Sequence, residues 1–214
     1  MIDIVYKLVL QLMAKHVTGG YLSPDEFNRY ALVAQNQKID DDIKQARTTR
    51  TSETLSNFIV SDHSLTVSNG QATKPTDYRQ LESAYYTDFS TGQPYVCAFE
   101  ELDNDEFNWR LGSELDKPSL DYPALVVRDT TIQVAPKTID FIKLTYIKYV
   151  PEPTWAYVTP VVSRFVYDPN TSVQFVYGED DIPDLVNRIV KLAAVEIGDS
   201  ELYQEATREQ QITN

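Results

Sequence analysis

The sequence predicts an α+β fold in which N- and C-terminal helices pack together around an inserted antiparallel β-meander region. Apolar residues recur at helical spacing at both ends of the chain, and short alternating stretches between turn residues fill the middle. Helix and strand signals are also grouped, not interleaved as they would be in a βαβ protein. The expected organisation is an N-terminal helical part over residues 1–60, a mainly antiparallel β insertion over 61–178 with a short acidic helix near 103–112, and a C-terminal helical part over 179–214 that joins the first helices.

Each element has a local cause. In residues 2–16, Ile4, Val5, Leu8, Val9 and Leu12 fall at helical spacing, and Gly19-Gly20 stops the helix. Ser23-Pro24-Asp25-Glu26 reads as a capping box with proline at the first helical position, so a second helix should run from Pro24 to about Lys38 with Phe27, Tyr30, Ala31 and Ala34 on one face. A Thr- and Arg-rich connector follows over 45–53, then a short helix near 55–60. Asn69-Gly70, after the alternating "HSLTVS", is a strong turn dipeptide. Residues 75–86 fit either a helical turn or a strand, and acids at the start of 103–112 favour a helix there. Strands are expected over 125–128, 131–134 and 139–149, joined by short connections and so arranged as a meander. Two more are expected near 157–167 and 172–177. A last apolar stripe, Ile182, Leu185, Val186, Ile189, Val190, Ala193 and Ile197, gives a helix to about Glu196, continued by a second segment or a frayed tail.

Charge and composition narrow the function. The net charge is −13, and residues 98–121 and 179–209 supply −12 of it. A basic footprint for gripping phosphate is absent, and such acidic runs read as solvated faces, as surfaces that repel nucleic acid, or as faces that meet a basic partner. The tyrosine excess, 14 against 8 phenylalanines, suits half-buried strand faces and subunit contacts. Cys97 is the lone cysteine, which excludes an intramolecular disulfide and fits a buried apolar role. The first fifteen residues lack the basic start and cleavage site of a signal peptide and are too short and charged to span a bilayer, so a soluble protein with no membrane association is expected.

Catalytic chemistry has little support. His16 and His63 have no ligand-spaced partners, and His16 suits the C-terminal end of its helix. There is no glycine-rich nucleotide loop, so no cofactor and no metal are expected. Glu100-Glu101 and Asp105-Glu106 could serve a glycosidase only if held about 5–10 Å apart beside a sugar, and adjacent acids arise readily in so acidic a chain. "ARTTR", 46–50, reads as a solvated linker. The distinctive local feature is a corner: the strand 141–149 runs into Pro151-Glu152-Pro153 and ends at Trp155. Neither proline can donate to a ladder, so the strand stops and a rigid bend presents the indole. Tyr149, Pro151, Pro153 and Trp155 form this corner.

Four stretches, "GGYLSPDEFNRYALVAQ", "RLGSELDKPSLDYP", "VVRDTTIQVAPKTIDFIKLTYIKYVPEPTW" and "SVQFVYGEDDIPDLVNRIVKLAAVEIGDSELYQ", occur in this order. Together they resemble the head-to-tail connector, or ring, proteins of tailed bacteriophages, particularly those of the crAss-like phages of gut Bacteroidetes. Ala194 stands where the family pattern leads one to expect glycine. The resemblance implies a non-enzymatic virion protein made in the host cytoplasm and assembled with itself as a ring, commonly of about twelve copies. Its other partners would be the portal and further neck or tail proteins, and genomic DNA would pass through the channel without sequence-specific binding. The resemblance also implies that the corner residues Tyr149, Pro151, Pro153 and Trp155 are candidate subunit-contact residues. The alternatives are a virion-associated cell-wall hydrolase and a binding or chaperone module that never enters the particle.

Overall fold

The structure is a computed structural model that describes residues 1–16, 22–49, 55–88, 93–159, 165–198 and 200–213. The chain forms α1 (Ile2–His16) and α2 (Pro24–Thr49), then β1 (Ile59–Thr66), β2 (Gln71–Thr73), β3 (Tyr78–Asp88), β4 (Tyr95–Ala98) and β5 (Glu100–Glu101). These are followed by α3 (Asn104–Gly112), β6 (Ala124–Val127), β7 (Thr131–Ala135) and β8 (Phe141–Lys148). The last elements are β9 (Tyr157–Val158), β10 (Val166–Tyr167), α4 (Ile182–Ile197) and α5 (Ser200–Thr213). The fold is α+β, and it divides into two compact units: residues 1–57 with 151–214, and residues 58–150. The sheet insertion expected over 61–178 thus ends at Val150, and 151–178 belongs with the helices.

In the helical unit α1, α2 and α5 all pack on α4. That central position explains why every residue from Asp184 to Val190 is buried, since a helix covered on several sides has no free face. The capping box forms as expected: Ser23 N–H donates to Glu26 Oε2 at 2.8 Å, and Glu26 N–H donates to Ser23 Oγ at 3.3 Å. α2 continues eleven residues past the expected end, because Ile39, Ile43 and Ala46 prolong its buried stripe and no breaker intervenes. On α1 the buried face is Ile2, Val5, Tyr6, Val9 and Met13, whereas Ile4 and Leu8 point to solvent. Helix α4 ends at Gly198, whose φ of 75° is the left-handed cap that glycine takes without strain. The residues after it form a full helix, α5. The strand expected near 157–167 is two short strands, β9 and β10, paired antiparallel. The strand expected near 172–177 is reduced to one bridge between Val173 and Thr154, because Ala156 N–H donates to Ser172 Oγ and Val176 N–H to Gln35 Oε1.

The second unit holds two four-stranded sheets, ordered β1-β8-β3-β4 and β2-β7-β6-β5. The expected short helix at 55–60 is instead a turn that buries Leu55 and Phe58 and leads into β1. The ambiguous stretch 75–86 becomes strand β3. Asn69 and Gly70, both at positive φ, close the expected tight turn between Ser68 and Gln71. The meander, however, breaks after its second strand. β6 and β7 pair as a hairpin, but Pro136 cannot donate to the ladder, and β8 crosses into the other sheet between β1 and β3. There Ile142, Leu144 and Tyr146 face Leu125, Ile132 and Val134 of the partner sheet across a shared core. The outer side of β6 and β7 is covered by α3 through Phe107, which packs with Ala124, Val126 and Ala135. β6 is therefore buried on both faces, which explains its uninterrupted apolar sequence. Cys97 lies in the shared core as a free thiol.

Candidate functional site

The corner divides between the units. Tyr149 belongs to the sheet unit, where it is 63% exposed and its N–H donates to Asp77 O at 2.6 Å. Pro151, Pro153 and Trp155 belong to the helical unit, with Pro151 exposed and Pro153 buried. Trp155 is only 3% exposed, and its bonding groups are used within its own unit. The Asn28 amide clamps its backbone, accepting from Trp155 N–H at 2.7 Å and donating to Trp155 O at 3.2 Å. The indole Nε1–H donates to Asp3 Oδ1 at 3.1 Å, and the ring lies against Tyr6, Tyr157 and Tyr167 with centroids 4.3, 6.0 and 5.7 Å away. Gln35 adds a bond to Pro151 O at 3.1 Å. Trp155 thus joins α1, α2 and the β9–β10 hairpin; its indole is an internal anchor and not an outward face. Burial alone would raise the Asp3 carboxyl, but bonds from Lys7 and Trp155 outweigh it and hold the group below the ordinary carboxylate range.

A second polar assembly in the helical unit was not foreseen. Lys38 of α2, with a side chain 12% exposed, reaches Asp181 at 3.1 Å, Asp42 at 3.5 Å and Asp184 at 3.6 Å. Its ammonium also sits 4.8 Å above the Tyr177 ring, whose hydroxyl donates to Asp42 at 2.8 Å. Arg188 of α4, 7% exposed, binds Asp184 at 2.9 Å and Asp41 at 2.8 Å. Burial pushes the Asp41 carboxyl up, but Arg188 and Lys44 outweigh it and the group sits below its usual value. Burial raises the Tyr177 hydroxyl strongly, with Asp42 adding to the effect. The signal in the sequence was a pair of charges, Asp184 and Arg188, four residues apart within an apolar stripe; charges at such positions need partners. Beside this assembly α2, α4 and α5 enclose a cleft of about 490 Å³ walled by Asp40, Lys44, Arg188, Lys191 and Tyr203 over Val195. Its walls are mixed in charge, and Lys191 lies 5.1 Å over the Tyr203 ring.

One carboxylate of each candidate pair in the sheet unit, Glu100 and Glu106, takes a structural position. Arg110 grips Glu100 through two bonds of 2.7 and 3.1 Å and Glu106 through one of 2.8 Å, so one guanidinium ties α3 to β5. Asp103 caps α3, accepting from Glu106 N–H at 2.8 Å. His63 is exposed on β1 with its ring edge-on to Tyr146 at 5.9 Å, and the side chain of His16 lies outside the described residues. Among the described residues no three His, Cys, Asp or Glu side chains are grouped to hold a metal, and no helix is long and apolar enough to cross a membrane. Ala194 is fully buried in α4, so its methyl bears on helix packing. Comparison with protein-family models and with curated proteins gives no match to this sequence.

Proposed function

We propose that this chain is a non-enzymatic structural subunit of a tailed-phage neck, one copy in a homo-oligomeric ring that continues the DNA conduit between portal and tail. The observation that carries the reading is the ordered resemblance from residue 19 to residue 204. The architecture supports it: the ends of the chain fall in one helical unit and the middle forms a compact sheet unit, a division suited to a subunit that has several neighbours. Charge supports it as well, since a chain of net charge −13 does not trap a passing polyanion electrostatically. The commitment of Glu100 and Glu106 to Arg110 favours a structural use of these acids over cell-wall hydrolysis.

The test is mass spectrometry of virions purified from the phage that encodes the chain, followed by symmetry-expanded electron cryomicroscopy of their necks. The expected result is a closed ring of identical copies beneath the portal. Absence from the virion, or an asymmetric feature of one or two copies, would overturn the proposal.

A further inference from the structure

The sheet unit carries its net charge in one segment. Outside residues 98–121 it has six acidic and six basic residues, whereas that segment has eight acids and two bases. The same segment exposes large apolar side chains: Trp109 is 64% exposed, Leu115 95% and Tyr122 83%. Leu115 is flanked in sequence by Glu114 and Asp116, and Tyr122 follows Asp121. Trp109 lies on the opposite side of α3 from the buried Phe107. The backbone that presents these groups is fixed. Ser113 Oγ accepts from Leu115 N–H and Asp116 N–H at 3.3 and 3.1 Å, Ser119 and Tyr122 bond reciprocally at 3.1 and 3.2 Å, and the Tyr86 hydroxyl donates to Leu120 O at 2.6 Å.

From this we infer that α3 and the loop after it are a docking surface for a basic polypeptide of a different protein, which covers Trp109, Leu115 and Tyr122 while its lysines or arginines meet Glu114, Asp116 and Asp121. Aromatic side chains held on an ordered backbone lose little freedom when covered, and Trp and Tyr are the residue types that most often dominate an interface. Charge chooses the occupant. Arg110 is bonded to Glu100 and Glu106, whereas Glu114, Asp116 and Asp121 are exposed carboxylates and Lys117 is the one base between residues 111 and 122. Nucleic acid would be repelled. A second copy of this chain is the less complementary occupant of this surface, because both units carry net negative charge, with eighteen acids against eleven bases in the helical unit and fourteen against eight in the sheet unit. The inference stands apart from the neck reading, since it rests on the charge and exposure of this one segment.

The test uses the full chain and a synthetic peptide that alternates lysine with leucine and phenylalanine, beside the same peptide with glutamate for lysine. Acrylamide quenching reads the cover of Trp109 against the buried Trp155, and calorimetry gives affinity. The lysine peptide should shield Trp109 and shift its emission to the blue, and added salt should weaken binding about tenfold. W109A/Y122A should weaken binding at least about thirtyfold, the scale of an interface hot spot. E114Q/D116N/D121N should weaken it about tenfold, while E201Q/E205Q in the other acidic segment should leave it unchanged. All the substituted side chains are exposed, so far-ultraviolet circular dichroism should show each variant folded. Equal shielding by the glutamate peptide, shielding that follows protein concentration without peptide, an equal loss in E201Q/E205Q, or no shielding at all would each overturn the inference.

Discussion

Trp155→Ala should unfold the helical unit at markedly lower temperature while leaving the sheet unit intact. The magnitude follows from what the indole touches. The residue is only 3% exposed and its ring lies against three tyrosines; its Nε1–H donates to the Asp3 carboxylate. Truncating a buried tryptophan to alanine costs about 3–5 kcal/mol, and losing a hydrogen bond to a charged acceptor is part of that sum. The Asn28 clamp bonds only the backbone of residue 155, so it survives in the variant and keeps the loss near the middle of the range. At roughly 4 °C per kcal/mol, the melting temperature of this unit should fall by about 15 °C. Among the described residues four of the five α-helices lie in the helical unit, so circular dichroism at 222 nm follows its melting selectively. Trp155→Phe keeps most of the ring contact and loses the donor, so it should fall between the two. A Trp155→Ala unit that melts within about 4 °C of the wild type would refute the reasoning, because an indole that is a true anchor cannot be removed so cheaply.

Arg188→Ala should destabilise the helical unit by about 3 kcal/mol, the lower end for breaking a buried pair, since Asp184 keeps Lys38 and Asp41 keeps Lys44; urea unfolding measures it. Asp41 and Asp3 are both held below their ordinary values, so the stability they contribute is present above the unfolded carboxylate value, about pH 3.9, and is lost as pH falls through their lower folded values; an acid titration followed at 222 nm should show this. Gly70→Ala should destabilise the sheet unit by about 1–3 kcal/mol, read as faster hydrogen exchange across β1, β7 and β8. The cause is that φ is +75° and the new Cβ would stand 2.8 Å from Lys137 Cγ and 3.0 Å from Val134 O. In a spectrophotometric titration at 295 nm, Tyr30, Tyr78 and Tyr146 should ionise late, at about 12, because burial raises each; Tyr86 and Tyr177 should ionise later still. Folding protects these hydroxyls, so stability falls as pH rises past about 10, where the unfolded tyrosines ionise. Under the proposed neck role, Glu100→Gln with Glu106→Gln should leave the lytic zones of particles that contain the chain unchanged, as a zymogram on host cell wall would show.

What the sequence determined by itself is what neighbouring residues decide. Ser23 and Glu26 cap α2 because they are three residues apart, Asn69-Gly70 turns because both adopt positive φ, and Leu185, Val186, Ile189 and Val190 make one helix because their spacing matches its period. The α+β class followed from the same local signals. Tertiary structure alone decided which partners these elements took. β8 reads as the third strand of a meander, yet it pairs with β1 and β3, since several apolar strands of similar pattern compete and only the filled core between two sheets separates the solutions. Ile4 and Leu8 satisfy the helical stripe as well as Val5 and Val9 do; contact with α4 selects the face. The Trp155 corner was visible as a rigid bend, but Asp3 and Asn28, which lie 152 and 127 residues away, turned the indole inward. The Lys38 and Arg188 cluster was hidden for the same reason. Its charges are scattered along the chain, and loop closure costs so little more at long separation that sequence distance gives no hint of which acid a buried base will meet.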